Sequence, residues 1–456
     1  MASSRKSKRS SAARADLADR VAACLTGVVS EGDRIVVGLS GGVDSVVLLD
    51  TLARLAPRFG FRLAAVHVNH QLSSNAARWA AFCRALCRAR GIPLKVANVA
   101  VPRGNSVEAA ARAARYEAFR ALRAEYIALA HNQDDQAETL LLQLLRGAGV
   151  RGVAGMPKVR IKDQAAGVDR VPGILRPLLD VPRSEIEAQA RACGLEWVED
   201  ESNAQTYYMR NFLRHDVFPV IERRYPGYRA TLARAARHFA DAAELLDQLA
   251  AQDAAGHILE GALSVDSLRA LAPPRARNLL RHFLALHALG MPAERLDEAL
   301  RQVLIAKQDA RVLIELDGAR LRRFEGRLHV VREAGPLPRL DLEWHGEREV
   351  ALPELGGVLE LARGRAGGIS LARLRGRTVT IGVRRGGERF KPDCRRPRRS
   401  LKNLLQEARI PPWQRERTPL IFCDGELVWA AGLGVDCSYR SAPHEPALTP
   451  AWRPSP

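Results

Sequence analysis

Residues 40–45 have the composition that a phosphate-binding turn requires. They read Ser-Gly-Gly-Val-Asp-Ser and follow an apolar run that begins at Ile35. A turn between a buried strand and a helix N-terminus exposes unpaired N–H groups beside the positive end of the helix dipole, which favours an anion. The spacing is neither the Walker pattern, which needs a Lys, nor Gly-x-Gly-x-x-Gly. The turn therefore predicts phosphate binding by Ser40, Gly41, Gly42, Val43, Asp44 and Ser45, with the Asp44 carboxylate available to a cation.

An acidic cluster forms the second candidate site. His131, Asp134, Asp135 and Glu138 follow an apolar run and precede an apolar helical segment at 140–145. Asp135 and Glu138 are three residues apart, so they share one face of a helix. Paired carboxylates beside a phosphate site suit a metal ion or a substrate ammonium group. Carboxylates in a first helical turn also cap the helix, and that alternative stays open.

Two pairs of arginines are spaced to lie on one helical face each. Arg112 and Arg115 are three residues apart in a segment opened by a capping-box pattern at 105–108. Arg210 and Arg214 are four apart, a spacing suited to clamping a phosphate or a developing anion. The alternative for both pairs is a solvent-exposed basic face.

A third basic group lies near the C-terminus. It mixes guanidinium groups with hydroxyl and backbone donors, which suits a phosphate backbone, and comprises Arg395, Arg396, Arg398, Arg399 and Lys402. A solvated charge run is the alternative. We interpret Trp413 and Trp429 as core residues rather than base-stacking platforms.

The histidines and cysteines give weaker signals. His67 and His70 are candidate metal ligands, but the lack of a nearby Cys or a helical His-x-x-x-His argues against structural zinc. The seven cysteines include no Cys-x-x-Cys pair and form no disulfide framework, which is typical of a protein of the reducing cytosol.

Four β-like runs position the candidate residues. The runs at 35–39, 63–68, 94–99 and 126–130 alternate with helical patterns at 46–56, 76–90 and 107–124. This alternation predicts an open, parallel, Rossmann-like α/β sheet. Ligands of such sheets bind at the carboxyl ends of the strands. The polar clusters after the first, second and fourth runs should therefore converge on one crevice.

Changes in pattern divide the rest of the chain. A mainly helical region is predicted at 220–334, ending in short strands at 312–316, 319–324 and 327–331. The predicted parts are a disordered basic tail at 1–16, the α/β domain at 17–219, the helical domain at 220–334, a linker with weak strands at 335–378, a small α+β domain at 379–445 and a disordered tail at 446–456.

The overall charge indicates the class of partner. A formal charge of +19 and a pI of about 10.3 favour a polyanion, and nucleic acid over acidic lipid. Only eight of the cationic residues are Lys, so an Arg-rich genome is the alternative explanation. No apolar run approaches the roughly 18 residues that would span a bilayer, so we expect no membrane partner.

Five segments together resemble the tRNA(Ile)-lysidine synthase family. Ser40–Ser45 alone resembles the pyrophosphate (PP) loop of the ATP-pyrophosphatase superfamily. The narrower resemblance covers 33–219 and 384–436 and is carried by SGGVDS, NSVEAAARAARY, AHNQDDQAETLLLQLLRG, DESN with RNFLRH, and GGERFKP with SLKNLLQE, IPPW and LVWAAGLGVD. It departs from the family at Gln71, where members often have Gly, which weakens the transfer of a role to the loop after His70.

The resemblance implies a ligase that joins L-lysine to C2 of the wobble cytidine in the CAU anticodon of tRNA(Ile), through an adenylated cytidine, releasing AMP and pyrophosphate. It implies ATP and Mg²⁺ at 40–45. It implies that Asp135 and Glu138 hold the lysine amine, with His131 nearby. It also implies that Arg112, Arg115, Arg210 and Arg214 stabilise charge and contact tRNA. The expected location is the cytoplasm, and a homodimer is left open.

Three other functions remain to be weighed. A tRNA thiolase of the same superfamily should have a reactive Cys near the site, and none is placed there. A glutamine-dependent synthetase should have a glutaminase domain, for which no motif appears. A basic RNA-binding protein with an inactive nucleotide fold is disfavoured by Asp44, Asp135 and Glu138.

Overall fold

A computed structural model of the chain divides into two compact units, Met1–Leu249 and Ala250–Pro456. The structure describes residues 16–71, 73–100, 107–161, 171–199, 201, 207, 209–306, 312–332, 335, 340–365 and 367–454. The predicted basic tail falls almost wholly outside these residues. The same holds for Asn105 and Ser106 of the predicted capping box.

A six-stranded sheet forms the centre of the first unit. Its strands, in spatial order, are β3 (Leu94–Asn98), β2 (Arg62–Asn69), β1 (Arg34–Gly38), β4 (Tyr126–Ala128), β6 (Gly173–Leu175) and β5 (Val159–Arg160). All neighbouring pairs are parallel except β5 with β6. The predicted open parallel sheet is confirmed. The short strands β5 and β6 were not predicted.

Helices cover this sheet because its strands are apolar on both faces. In β1, Ile35, Val36 and Val37 are all buried, as expected for a strand inside a parallel sheet. The helices are α1 (Leu17–Leu25), α2 (Val43–Phe59), α3 (Ala76–Ala89), α4 (Val107–Arg120), α5 (Gln133–Leu145), α6 (Val150–Val153) and α7 (Arg183–Ala192). One face of the sheet packs on α2 through residues such as Val47 and Leu49.

A run of helices completes the first unit. These are α8 (Met209–Phe212), a π-helical turn at Leu213–Val217, α9 (Phe218–Arg224) and α10 (Tyr228–Ala254). Pro219, where we predicted the α/β domain to end, instead lies in the first turn of α9, a position that tolerates proline. Single turns of π-helix are rare and concentrate at functional sites, which marks the segment around Arg214.

The second unit begins with a helical layer against an antiparallel sheet. The helices are α11 (Val265–Ala270), α12 (Pro273–Leu286) and α13 (Ala293–Ile305). The strands are β7 (Ile258–Leu259), β8 (Ala262–Ser264), β9 (Leu313–Leu316), β10 (Ala319–Phe324) and β11 (Arg327–Arg332), in the order β7-β8-β11-β10-β9. The three predicted short strands are confirmed as β9, β10 and β11. Their helical partners bury Leu280, Phe283 and Leu296 in a shared core with Leu321.

The remainder of the second unit consists of three antiparallel sheets. Their strands are β12 (Asp341–Glu343), β13 (Glu349–Leu352), β14 (Gly357–Arg365), β15 (Ile369–Ser370), β16 (Val379–Gly382), β17 (Arg389–Phe390), β18 (Arg399–Ser400), β19 (Leu420–Cys423), β20 (Glu426–Ala430), β21 (Gly434–Val435) and β22 (Pro446–Pro454). The orders are β12-β16-β19-β20-β21, β13-β14-β22-β15 and β17-β18. Short helices α14 (Leu371–Leu374), α15 (Leu401–Glu407) and α16 (Pro412–Arg415) connect them, with a 3₁₀ turn at Pro353–Leu355.

One prediction for the C-terminal region is wrong, and a second is met only in part. The disordered tail predicted from 446 is strand β22, which pairs with β14 over nine residues from Gly357–Pro454 to Arg365–Pro446. The region predicted as a linker with weak strands does contain strands, β12 to β15, but they belong to the folded sheets rather than to a linker. The alternation expected of a strand is weak in this part of the sequence. The reason is that β14 buries alternate residues only at Gly357, Leu359 and Leu361 and is exposed beyond them.

One disulfide corrects the prediction that the cysteines form no framework. Cys394 and Cys437 are bonded and join the segment before β18 to the segment after β21. Sequence spacing of 43 residues gave no signal for this pair. The other five cysteines are free.

Among the described residues, no helix combines the length and apolar character needed to cross a bilayer.

Candidate active site

The site lies where the strand order of the first sheet reverses direction. The chain passes from β1 to β2 and β3 on one side, then crosses to β4 on the other side of β1. Ligands of open α/β sheets bind at this switch point, outside the carboxyl ends of the strands. The loop after β1 and the loop after β4 are therefore adjacent, and they carry Ser40–Ser45 and His131–Asp135.

The Ser-Gly-Gly turn delivers the chain directly into the N-terminus of α2. Gly42 is the N-cap residue and Val43 the first helical residue, as expected for an anion-binding helix end. Gly41 has φ of +94°, a conformation that L side chains rarely adopt. A Cβ at Gly41 would also lie 2.8 Å from the Val198 side chain. Glycine is therefore required here for two independent reasons.

The two hydroxyl groups of the turn hold its shape in the ligand-free protein. Ser45 Oγ lies 3.1 Å from Ser40 Oγ, accepts from the Gly41 N–H at 3.2 Å and donates to the Gly42 carbonyl at 2.9 Å. Ser40 Oγ accepts from the Gly42 N–H at 3.3 Å. The turn is thus preorganised by its own side chains before any phosphate binds.

His67 supports the turn rather than a metal. Its Nδ1 lies 2.9 Å from the carbonyl of Leu39, the residue before the turn, and 3.5 Å from Cys83 Sγ. The ring is buried, and this burial lowers its pKa. No group of three or more His, Cys, Asp or Glu side chains in the described part of the chain is arranged to hold a metal ion.

Asn132 joins the phosphate loop to the acidic cluster. Its Nδ2 donates to Asp44 Oδ1 at 3.1 Å, while its Oδ1 accepts from the Asp135 N–H at 3.1 Å. Asp135 Oδ2 in turn accepts from the Asn132 N–H at 3.0 Å, which completes a capping box at the start of α5. One buried amide therefore fixes the position of α5 relative to α2. The capping alternative is confirmed for Asp135.

The Asp44 carboxyl lies in an environment that resists ionisation. Burial raises its pKa to about 6, opposed by the positive charge of Arg183 and reinforced by the negative charge of Asp135. A carboxylate desolvated in this way gains by acquiring a cation. The position beside the helix N-terminus suits a group that shares a cation with bound phosphates.

Glu138 and Arg214 form the most enclosed ion pair of the site. Arg214 donates to Glu138 Oε1 from Nε at 2.8 Å and lies within 2.7 Å through Nη2, and it approaches Asp135 at 3.6 Å. The Glu138 side chain is 1% exposed, and its second oxygen, Oε2, has no hydrogen-bond partner among the described residues. Burial raises the pKa of Glu138 to about 7 despite Arg214. The structure thus leaves one buried acceptor atom open.

His131 lies within a group of arginines. Burial, together with the positive charges of Arg176, Arg210, Arg112 and Arg115, lowers its pKa to about 3. The Nδ1 atom of this neutral ring has no hydrogen-bond partner in the described part of the chain. Arg112, Arg115 and Arg210, which were predicted from the sequence, thus act on His131 together. Arg112 also stacks on Tyr116 at 5.2 Å, and Arg210 approaches Thr139 at 3.5 Å.

The loop after β2 reaches the same region. His70 Nε2 lies 3.5 Å from an Arg115 nitrogen, and burial lowers the His70 pKa to about 4. Gln71, the departure from the family pattern, has φ of +55°. This left-handed conformation favours glycine, so the backbone shape is kept here at the cost of strain. The predicted convergence of three strand ends is confirmed by these contacts.

The C-terminal basic residues belong to the second unit and divide into two classes. Arg398 bonds Asp436 and Ser438, each at 3.2 Å, and Arg399 is paired with Glu407. These two arginines hold the local fold. Arg395, Arg396 and Lys402 are exposed.

Sequence reasoning missed Asn132 and Arg176. The signal for Asn132 was present, because Asn followed three residues later by Asp at the start of a helix is a capping signature. Arg176 is 3% exposed, follows the short strand β6 and donates to the Pro157 carbonyl at 2.8 Å. No local pattern indicates a buried arginine, since its burial depends on the sheet being assembled.

Family models match three separate segments of the chain. A PP-loop domain matches residues 14–221, a TilS substrate binding domain matches 263–329 and a TilS substrate C-terminal domain matches 379–452. The first covers every residue of the site in the first unit. The other two lie in the second unit.

Relatives are similar over nearly the whole chain. The tRNA(Ile)-lysidine synthase of Nitrosomonas europaea is 46% identical over 94% of this chain and 93% of its own. That of Chromobacterium violaceum is 45% identical over 92% of this chain and 95% of its own. Among solved structures, the U34-tRNA thiolase NcsA from Methanococcus maripaludis is 18% identical with a TM-score of 0.41, covering 49% of this chain and 77% of that chain.

Proposed function

Because this chain belongs to the tRNA(Ile)-lysidine synthase family, we propose that it ligates free L-lysine to C2 of the wobble cytidine of a CAU-anticodon tRNA(Ile). ATP is consumed and AMP and pyrophosphate are released. The observation that carries this proposal is the Asn132 bridge, which joins the phosphate-loop Asp44 to the acidic start of α5. The proposed ATP site and the proposed site for the lysine amine are thereby held in one crevice.

In the first step the C2 oxygen of cytidine attacks the α-phosphorus of ATP and pyrophosphate leaves. The phosphates would lie on the N–H groups at the start of α2, with the Ser40 and Ser45 hydroxyls as further donors. The product is a cytidine that carries AMP on C2, which turns a poor leaving group into a good one. Such a step depends on positioning and charge stabilisation more than on a protein nucleophile.

Mg²⁺ fits the donor set of this site. It binds well through one carboxylate together with substrate phosphates and water, and the Asp44 carboxylate, which burial makes reluctant to ionise alone, would supply that ligand. When bound, the ion would neutralise charge on the ATP phosphates.

In the second step the ε-amine of lysine attacks C2 and expels AMP. The attacking amine must first lose a proton from its ammonium form. A base works best when its pKa lies near the operating pH. Glu138, whose pKa is about 7, meets this condition, whereas His131, at about 3, is far too weak a base at neutral pH. We therefore assign proton acceptance to Glu138, whose Oε2 has no hydrogen-bond partner among the described residues and would be available to the ammonium.

The arginines around His131 supply the positive charge for RNA and for the departing phosphates. Arg112, Arg115 and Arg210 all act on His131 electrostatically, so we propose that they contribute to one positively charged region beside it. The neutral His131 ring adds an uncharged hydrogen-bonding group among these cations. In the second unit, Arg395, Arg396 and Lys402 are the exposed candidates for phosphate contacts. We propose that the reaction takes place in the cytoplasm, where tRNA, ATP and lysine are available.

No observation favours the thiolase alternative. Cys83 is the cysteine nearest to the phosphate loop, since its Sγ would lie 3.4 Å from a Cβ at Gly41. Burial raises its pKa to about 12, so it is not a thiolate at neutral pH.

The direct test incubates purified protein with labelled lysine, ATP, Mg²⁺ and a CAU-anticodon tRNA(Ile) transcript. We expect lysine to be incorporated into tRNA with one AMP released per lysine. Asp44→Ala should abolish pyrophosphate release as well as lysine transfer, whereas Glu138→Gln should still release pyrophosphate. Wild-type protein that leaves all label free, while an established relative succeeds in parallel, would refute the proposed function.

A further inference from the structure

The second unit contains a large groove that the proposed chemistry does not use. The groove has a volume of about 1160 Å³ and is lined by strands β10 and β11 on one side and by α16 and its flanking loops on the other. Pockets for small molecules hold roughly 300–1,000 Å³. A site of this size suits a segment of a polymer better than a single metabolite.

Trp413 forms part of the groove wall, which corrects the prediction that it is a core residue. It is half-buried, whereas Trp429 is buried as predicted. The Arg322 guanidinium lies over the Trp413 ring at 5.5 Å from its centre. Phe324 and His329 contact the ring edge-on, at 6.0 and 5.3 Å between ring centres. The indole is thus fixed in orientation by β10 and β11 while part of it stays accessible.

Strand alternation explains how arginines reach this wall. Ala319, Leu321 and Arg323 of β10 are buried, so Arg320, Arg322 and Phe324 lie on the opposite face. Arg322 Nε is shielded from water and has no hydrogen-bond partner in the described residues. An unsatisfied buried donor is costly, and a ligand acceptor would remove that cost.

The groove carries net positive charge. Four arginines line it against a single carboxylate, that of Glu416. Arg332 donates to the His287 carbonyl at 3.1 Å, and Arg417 donates to the Glu354 and Gly335 carbonyls at 2.7 Å each. Carbonyl oxygens orient a guanidinium without neutralising it. Within the described residues, Arg320 is the one arginine of the four paired with a carboxylate, that of Glu315 at 3.1 Å.

We propose that this groove binds an unpaired nucleotide segment of the tRNA, with one base stacked on Trp413 and adjacent phosphates held by Arg322 and its neighbours. Aromatic faces combined with arginines are the means by which proteins bind single-stranded nucleic acid. A paired base in a duplex cannot offer its face to the indole. This inference rests on the proposed function for the identity of the substrate, but the binding site itself is independent of catalysis.

Binding is the measurement that tests the groove. The probes are a labelled CAU-anticodon tRNA(Ile) transcript, a short single-stranded RNA and a blunt RNA duplex of the same length. Loss of one stacked base weakens binding by about 5- to 150-fold. We expect Trp413→Ala to weaken tRNA affinity about tenfold and Trp413→Phe to retain most of it. The single strand should displace tRNA far better than the duplex does.

Arginine variants test whether tRNA binding depends on the groove or only on the overall positive charge of the protein. Arg322→Gln should weaken tRNA binding. It should also reduce the slope of log affinity against log salt concentration by about one. Arg301→Gln is the matched control, because Arg301 is an exposed arginine of α13 paired with Glu298 and outside the groove. It should leave both properties close to wild type. If Trp413→Ala fails to fold, as judged by thermal melting, Arg322→Gln and the competition between single strand and duplex still decide the matter.

Turnover distinguishes this inference from the proposed function. The groove variants should raise KM for tRNA while kcat at saturating tRNA stays within about twofold of wild type. Unchanged tRNA affinity in Trp413→Ala and Arg322→Gln, or a duplex or an acidic peptide that competes as well as the single strand, would overturn the groove assignment. Wild-type protein that binds RNA in the groove but forms no lysidine would instead overturn the proposed function alone.

Discussion

Single side chains in this site are tuned chiefly by burial. Asp44 and Glu138 are acids whose pKa values rise to about 6 and about 7, while His131 falls to about 3. In each case desolvation disfavours the charged form and is the largest cause. At neutral pH the Glu138 carboxyl is therefore about half ionised and can exchange a proton, Asp44 is mostly ionised, and His131 is uncharged and too weak a base to accept one.

The Glu138 assignment predicts a pH profile. With Glu138 as proton acceptor, kcat/KM for lysine should fall about tenfold per pH unit below pH 6 and level off above pH 8. Glu138→Gln should lose at least about 100-fold in lysine transfer, and its residual rate should lack this acidic limb. Glu117→Gln, which alters an exposed carboxylate of α4, is the control. A wild-type profile that is flat between pH 6 and 8 would contradict the assignment.

The same group affects folding stability with a defined sign. Because the folded-state pKa of Glu138 is raised from 4.5 to about 7, folding favours its protonated form. Its contribution to the stability of the ligand-free protein is therefore full below pH 4.5 and is lost as pH rises towards 7. The Gln variant should show a weaker pH dependence of thermal melting over this interval.

Residue roles were predictable from sequence only where a local motif carried them. The shape of the turn was predictable, because Gly41 and Gly42 act through local backbone geometry, whereas phosphate binding by the turn stays a prediction. Arg214 was expected to contact tRNA, yet it is paired with Glu138 across 76 residues of chain. Neither the pairing nor the burial of Arg176 has a local signature, since both arise from packing between distant segments.

At the scale of elements, the N-terminus of α5 connects stability to chemistry. A capping box joins Asn132 and Asp135, and the remaining donor of the same amide reaches Asp44 of α2. Helix capping and carboxylate orientation thus depend on one side chain. Sequence reasoning found the helix and the acids but not the connection, because the contact between α2 and α5 spans 88 residues.

Substitutions at Asn132 separate the two roles. Asn132→Ala removes both the cap and the contact to Asp44, so it should lower the unfolding free energy by about 1 kcal/mol and reduce adenylation. Asn132→Ser keeps a capping oxygen but is shorter and has no second polar atom to reach Asp44, so stability should be nearly wild type while adenylation falls. Pyrophosphate release and denaturant melts measure the two effects. Full adenylation activity in Asn132→Ser would show that the contact to Asp44 has no positioning role.

At the scale of the whole molecule, the second unit is closed by its last strand. The strand β22 inserts between β14 and β15 and buries Ala447 and Leu448. Its Pro-rich sequence reads as a tail because prolines interrupt strand patterns. Those at Pro446, Pro450 and Pro454 are accommodated by pairing with β14 that sequence composition cannot anticipate. Long-range strand pairing was thus the part of the fold least accessible to prediction.

Truncation tests this closure. Removal of residues 446–456 should lower the melting temperature of the second unit and expose its sheets to protease, because β14 and β15 lose the strand that joins them. Leu448→Ala should cost about 2–5 kcal/mol through the cavity it leaves. Removal of Ser455 and Pro456 alone is the control and should have no measurable effect. If the truncated protein and Leu448→Ala melted at the same temperature as the control, β22 would contribute nothing to the fold.

The position of β22 also affects the order in which the sheet can form. The strands β14 and β22 are paired along nine residues, although about ninety residues of sequence separate them. Because the chain is synthesised from its N-terminus, β14 is made before the strand that covers one of its edges. Until β22 has emerged, that edge is open to pairing with another chain, so slow synthesis between the two strands should favour aggregation.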